Sequence, residues 1–134
     1  MKINKEYLKV VLLLTSLHSL FIGIGMIVMP NNIIEIFGFT ELGGSFFRTQ
    51  GGVFHIVMAL GYFIASMDIA NNPRFIVFII LVKFCATVFL VIYYLFVDSV
   101  IVILLSGIVD FVIGLVIFYL RKDKIKLEIK QARG

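Results

Sequence analysis

The chain predicts an all-α membrane protein, a four-transmembrane-helix antiparallel bundle with a short interfacial helix between the first and second spans. Three observations carry that expectation. Of 134 residues, 61% are hydrophobic and only 15% are charged, whereas charged residues make up about a quarter of an ordinary soluble domain. The apolar residues fall into runs at about 7–29, 46–67, 75–96 and 99–120, each meeting the roughly 20 residues that cross the hydrocarbon core. The breaks between runs hold Pro30, Asn71, Asn72, Pro73 and Asp98, residues that start turns and helices. The runs take up most of 1–134, which reads as a single membrane domain with a basic tail at 121–134.

The first run follows Lys2, Lys5 and Lys9 in the manner of a signal peptide. It is nevertheless long enough to span, and no small-x-small cleavage site precedes Pro30, so it is read as a retained helix. Pro30 to Ser45 then sets Ile33, Ile34, Ile36, Phe37 and Phe39 around Glu35, a pattern for a short helix lying in the interface. Gly38, Gly43 and Gly44 are placed to end that helix and turn the chain into the second span. Asn71-Asn72-Pro73 reads as a start signal, with an Asn cap and Pro in the first turn. Val97 and Asp98 leave so short a connection that the third and fourth spans are expected to be antiparallel neighbours.

Apart from Arg48 and Lys83, every Lys and Arg falls on one side of such a four-span chain, and the other side carries Glu35, Glu41 and Asp98. Basic residues are retained on the cytoplasmic side. A multi-pass protein of the cell (cytoplasmic, or inner) membrane with both termini cytoplasmic is therefore expected. The same asymmetry accounts for the net charge of +4. The tail from Arg121 to Lys130 reads as a topological anchor with some affinity for anionic lipid, and no nucleic-acid motif accompanies it. The single Cys85 lies in the third span, which excludes an intramolecular disulfide or a Cys-x-x-Cys redox pair and suggests a small buried packing residue.

Each span carries an ionisable residue near its middle: His18, His55, Lys83 and Asp110. Such groups are expensive in hydrocarbon and as a rule face the bundle interior. Counted from the cytoplasmic ends at 1.5 Å per residue, Lys83 lies at about 12 Å, His18 and Asp110 at about 15 Å and His55 at about 18 Å, within about one helical turn. Spacing places each on a stripe of small and polar residues: Thr15, His18, Ile22 and Gly25 in the first span, and Arg48, Gly51 or Gly52, His55, Ala59 and Tyr62 in the second. Lys83, Thr87 and Tyr94 share a face in the third, and Ser106, Gly107, Asp110 and Gly114 in the fourth. Lys83 and Asp110, on hairpin neighbours, are expected to pair. Arg48 lies near the outer end, where it would snorkel or point inward. Gly51, Gly52, Gly61, Gly107 and Gly114 are expected to let helices approach closely.

Two readings of the cluster stand at this stage. His18, Arg48, His55, Lys83 and Asp110 form a site for a ligand or partner, or the charged pair merely fixes helix register while the histidines pack in the core. No catalytic residue and no metal site is assigned, because two histidines and a carboxylate do not establish convergent coordination. No cofactor is expected; the alternative is haem with His18 and His55 as axial ligands. Gly23-x-Gly25 lies inside an apolar helix and Gly51-Gly52 lacks the rest of a nucleotide fingerprint.

Pro30, Ile36-Phe37-Gly38-Phe39, Phe47-Arg48-Thr49-Gln50-Gly51-Gly52, Gly61 and an acid in the fourth span together resemble the DoxX-like four-helix membrane proteins. The resemblance implies a four-helix bundle, a site marked by Arg48 and its glycines, and, since some members are accessory subunits of redox-linked membrane complexes, a partner subunit. Quinone-reducing thiol enzymes of the wider group use cysteine pairs that this chain lacks. The expected function is binding of a hydrophobic or amphipathic ligand, or of a partner membrane subunit, at the intramembrane cluster. Proton-coupled small-molecule transport through the same residues, and a homo-oligomeric scaffold built on the small residues, are the alternatives.

Overall fold

The structure, a computed structural model, describes residues 2–39 and 45–132. It contains five helices: α1 (Lys2–Val28), α2 (Asn31–Ile36), α3 (Ser45–Met67), α4 (Pro73–Phe96) and α5 (Ile101–Ala132). Of these, α1, α3, α4 and α5 are long and apolar enough to cross a membrane. The chain is thus an all-α, multi-pass membrane protein. α1 packs along α3 and α4 along α5; α1 also meets α5, while α3 touches α4 only lightly. The four spans therefore close a ring in the order α1, α3, α4, α5, made of two antiparallel hairpins.

Local chemistry explains the ends of the helices. Pro73 occupies the first turn of α4, where its missing amide has no helical partner to lose. Asn72 stands at the expected N-cap, yet its side chain makes no capping bond. The side-chain amides of Asn71 and Asn72 donate instead to the Asp68 carboxylate at 3.2 and 3.3 Å. α2 ends in a Schellman turn, with Gly38 N donating to Glu35 O at 2.9 Å, Phe39 N to Ile34 O at 3.4 Å, and Gly38 at φ 91°. Gly38 thus closes α2 as expected; Glu41, Gly43 and Gly44 lie outside the described residues. No residue of α2 is buried, and Ile33, Ile36 and Phe37 at this end are exposed, as an interface-lying helix requires.

The α4–α5 connection runs over four residues, 97–100, two more than the sequence suggests. Val97 N and Asp98 N both donate to Tyr93 O, and the Ser99 hydroxyl donates to Tyr94 O at 3.1 Å. Val100 is then buried, beside Gly38. At its far end α5 continues to Ala132, so the backbone expected as a tail extends the last span as helix.

The core sits at one end. Leu8 and Leu12 of α1, Tyr62 and Ala65 of α3 with the following Ile69, Ile76, Ile79 and Ile80 of α4, and Ile117 of α5 form one buried cluster. In antiparallel hairpins all of these lie toward the end that bears the N-terminus. Toward the opposite end His55 is half-buried and Ser106 exposed, while Val100 and Ile103 stay buried, and Gly38 and Val100 bring the two hairpins together there. Within each hairpin the contact is closer. A Cβ on Gly23 would lie 2.7 Å from the Gly52 carbonyl oxygen, and one on Gly52 would lie 2.7 Å from the Gly23 oxygen. Lipid offers no hydrophobic drive for helices to associate, so such small-residue packing and interhelical hydrogen bonds hold them together. Among the described residues, every interhelical side-chain hydrogen bond stays within the α1–α3 half or within the α4–α5 half.

Candidate functional site

On α1, α4 and α5 the first polar residues appear where the shared core stops, while on α3 Ser66 is already buried within it and donates to Phe63 O at 2.6 Å. Lys83 follows Ile76, Ile79 and Ile80 by one turn on α4, and Asp110 lies two turns from Ile117 on α5. Lys83 Nζ donates to Asp110 Oδ1 at 2.6 Å, with the two side chains 6% and 15% exposed. The pair expected from hairpin adjacency is therefore formed. Glycines on either side of Asp110 let α4 come in: a Cβ on Gly114 would lie 3.3 Å from Lys83 Cβ, and one on Gly107 would lie 3.3 Å from Leu90 Cβ. The Thr87 hydroxyl donates to Lys83 O at 2.9 Å and lies 3.3 Å from Gly107 O. On the opposite side the Lys83 ammonium stands 5.2 Å from the centre of the Tyr62 ring, a cation–π distance. Lys83 is thus held by α5 through a carboxylate and by α3 through a ring, and the charged pair has no net charge whichever partner holds the proton.

The α1–α3 hairpin supplies the fourth member. The Ser16 hydroxyl donates to Ala59 O at 2.8 Å, and the Ser19 hydroxyl to His55 O at 2.9 Å. With the Gly23–Gly52 crossing one turn on, these bonds fix the register of α1 on α3. Ser19 Oγ also lies 3.3 Å from His55 Nδ1. His55 is half-buried on the stripe of Gly52, Ala59 and Tyr62.

Several expected positions need correction. His18 is exposed, as is Ile22, and Gly25 meets only Met29, just beyond the end of its own helix. The buried stripe of α1 runs instead through Leu8, Leu12, Thr15, Ser19 and Gly23, rotated away from His18 because the serine hydroxyls and Gly23 bind α3. His18 therefore does not turn into the bundle interior beside the other three. The two imidazoles are not placed as opposed axial ligands, one being exposed and the other turned into the bundle with Nδ1 beside Ser19. Among the described residues no three His, Cys, Asp or Glu side chains gather as a metal site. Arg48 neither snorkels nor reaches the cluster; Nη1 donates to Met29 O at 3.1 Å and to Asn31 Oδ1 at 3.0 Å, covering the carbonyl end of α1. Gly51 faces the flexible tip of Met26, and Gly61 only the Phe75 ring at 3.7 Å, an ordinary contact. Arg48 and its glycines thus serve the α1–α3 junction. Cys85 is exposed rather than buried.

Ser16, Ser19 and Gly23 are the residues that sequence reasoning passed over. Their three- and four-residue spacing is a small-residue stripe in its own right.

Fold and site together define a multi-pass helical membrane protein with a buried charge pair, an aromatic ring and an imidazole between two hairpins. Compared with protein-family models, with curated proteins and with solved structures, the chain finds no match.

Proposed function

We propose that this protein, in the cytoplasmic membrane with both termini cytoplasmic, binds an amphipathic molecule. Its polar head rests among His55, Tyr62, Lys83 and Asp110, and its apolar part lies between the two hairpins. The observation that supports this reading is the position of the buried pair Lys83–Asp110 beside the Tyr62 ring, at the point where the shared apolar cluster ends. A salt bridge that only fixed register within α4–α5 would serve equally well under full cover. As a source of stability alone it is a poor investment, because desolvation offsets most of the attraction.

The reading is tested by extracting the protein in mild detergent and analysing co-purified small molecules by mass spectrometry. The comparison is with the double variant Lys83→Met/Asp110→Leu, which replaces both charged side chains by apolar ones. A defined molecule retained by the wild type and lost from a folded double variant is the expected result. Equal retention by both would end this reading.

A further inference from the structure

The hydroxyl of Ser19 has one proton, and it goes to His55 O at 2.9 Å. The 3.3 Å contact between Ser19 Oγ and His55 Nδ1 would otherwise bring two lone pairs together. Nδ1 must therefore carry the ring proton and donate it to Ser19 Oγ, which leaves Nε2 of the neutral imidazole as an acceptor. Among the described residues no hydrogen bond reaches Nε2, and Nε2 is not among the fully enclosed unpartnered atoms. It is thus open to a ligand.

The charge balance points the same way. Lys83 and Asp110 are in direct contact at 2.6 Å and cancel, and Tyr62 presents its ring to the ammonium. A head group bearing a charge would find no uncompensated counter-charge here, and an unpaired ion at such depth is strongly disfavoured.

Resting on the proposed binding reading, we infer that the head group is neutral and donates a hydrogen bond, as an alcohol or phenol hydroxyl does, with His55 Nε2 as its acceptor. Ser19 acts as a positioning residue that fixes the tautomer.

The test uses full-length protein in phosphatidylcholine nanodiscs and photoreactive probes that share one tetradecyl chain and end in a hydroxyl, a methyl ether or a carboxylate. The hydroxyl probe is expected to label the site about three- to tenfold more than the ether, the scale of one net hydrogen bond. Ser19→Ala should bring it near the ether's level and shift the nitrogen NMR signature of His55, whereas His55→Gln, which keeps an acceptor oxygen, should retain part of the preference. Ether and hydroxyl labelling equally would overturn the donor assignment while leaving amphiphile binding in place. Preference for the carboxylate would overturn neutrality. Labelling of all three no greater than in Lys83→Met/Asp110→Leu would remove both this inference and the reading beneath it.

Discussion

In Gly52→Ala the new methyl would lie 2.7 Å from the Gly23 carbonyl oxygen and 2.7 Å from Ile27 Cγ1. The oxygen belongs to the backbone, so it moves only if α1 moves. Reaching an ordinary contact of about 3.4 Å requires the helices to separate by about 0.7 Å at the crossing, enough to forfeit a quarter or more of each neighbouring dispersion contact. Carried one turn along, the same displacement stretches the Ser19–His55 carbonyl bond from 2.9 Å to about 3.6 Å, beyond useful hydrogen-bond range. Overpacking costs about 1–3 kcal/mol and the weakened bond about 1 kcal/mol. The total, about 2–4 kcal/mol, is roughly a thirty- to several-hundredfold loss in the folding equilibrium. Gly61→Ala makes the same chemical change where the nearest atom is the Phe75 ring at 3.7 Å, and should be neutral or slightly stabilising through helix propensity. Dodecyl sulfate titration in mixed micelles, followed by circular dichroism, measures both. A midpoint for Gly52→Ala equal to that for Gly61→Ala would refute the close crossing of α1 and α3.

The same titration separates two further cases. Asp110→Ala leaves the Lys83 ammonium buried without its carboxylate and should cost about 3–5 kcal/mol, whereas Lys83→Met/Asp110→Leu should lie close to wild type; a double variant as unstable as the single would contradict the pairing. Gly38→Ala forces a Cβ onto a residue at φ 91°, with Val100 Cγ1 at 3.3 Å. It should cost about 1–2 kcal/mol and speed hydrogen exchange at the amides of Gly38 and Phe39; unchanged exchange there would speak against the Schellman turn.

The spans were legible because the bilayer imposes a length and the chain has four stretches that meet it. Lys83 with Asp110 was legible for a different reason: a short connection forces their helices side by side, and neither charge tolerates isolation. The face of α1 was not. Thr15, His18, Ile22 and Gly25 recur at helical spacing, but so do Leu12, Ser16, Ser19 and Gly23, and a helix apolar on nearly every side gives periodicity no preferred direction. The ionisable His18 drew the assignment, while the bonds that orient α1 come from two serines whose hydroxyls reach the carbonyls of α3. Arg48 misled in a similar way, since a charged residue flanked by glycines resembles a site even when its guanidinium closes a helix end.

The confinement of interhelical side-chain hydrogen bonds to separate hairpins bears on how the protein enters the bilayer. Asp110 meets its counter-ion on the preceding span, so the α4–α5 unit can pass from translocation machinery to lipid already neutralised. The α1–α3 unit likewise satisfies Ser16 and Ser19 internally. Neither half needs the other to hydrogen-bond its polar groups, and the later docking step has the apolar cluster, the Lys83–Tyr62 contact and the Gly38–Val100 contact to complete. Two hairpins made as separate polypeptides should therefore insert independently and reassociate in the membrane.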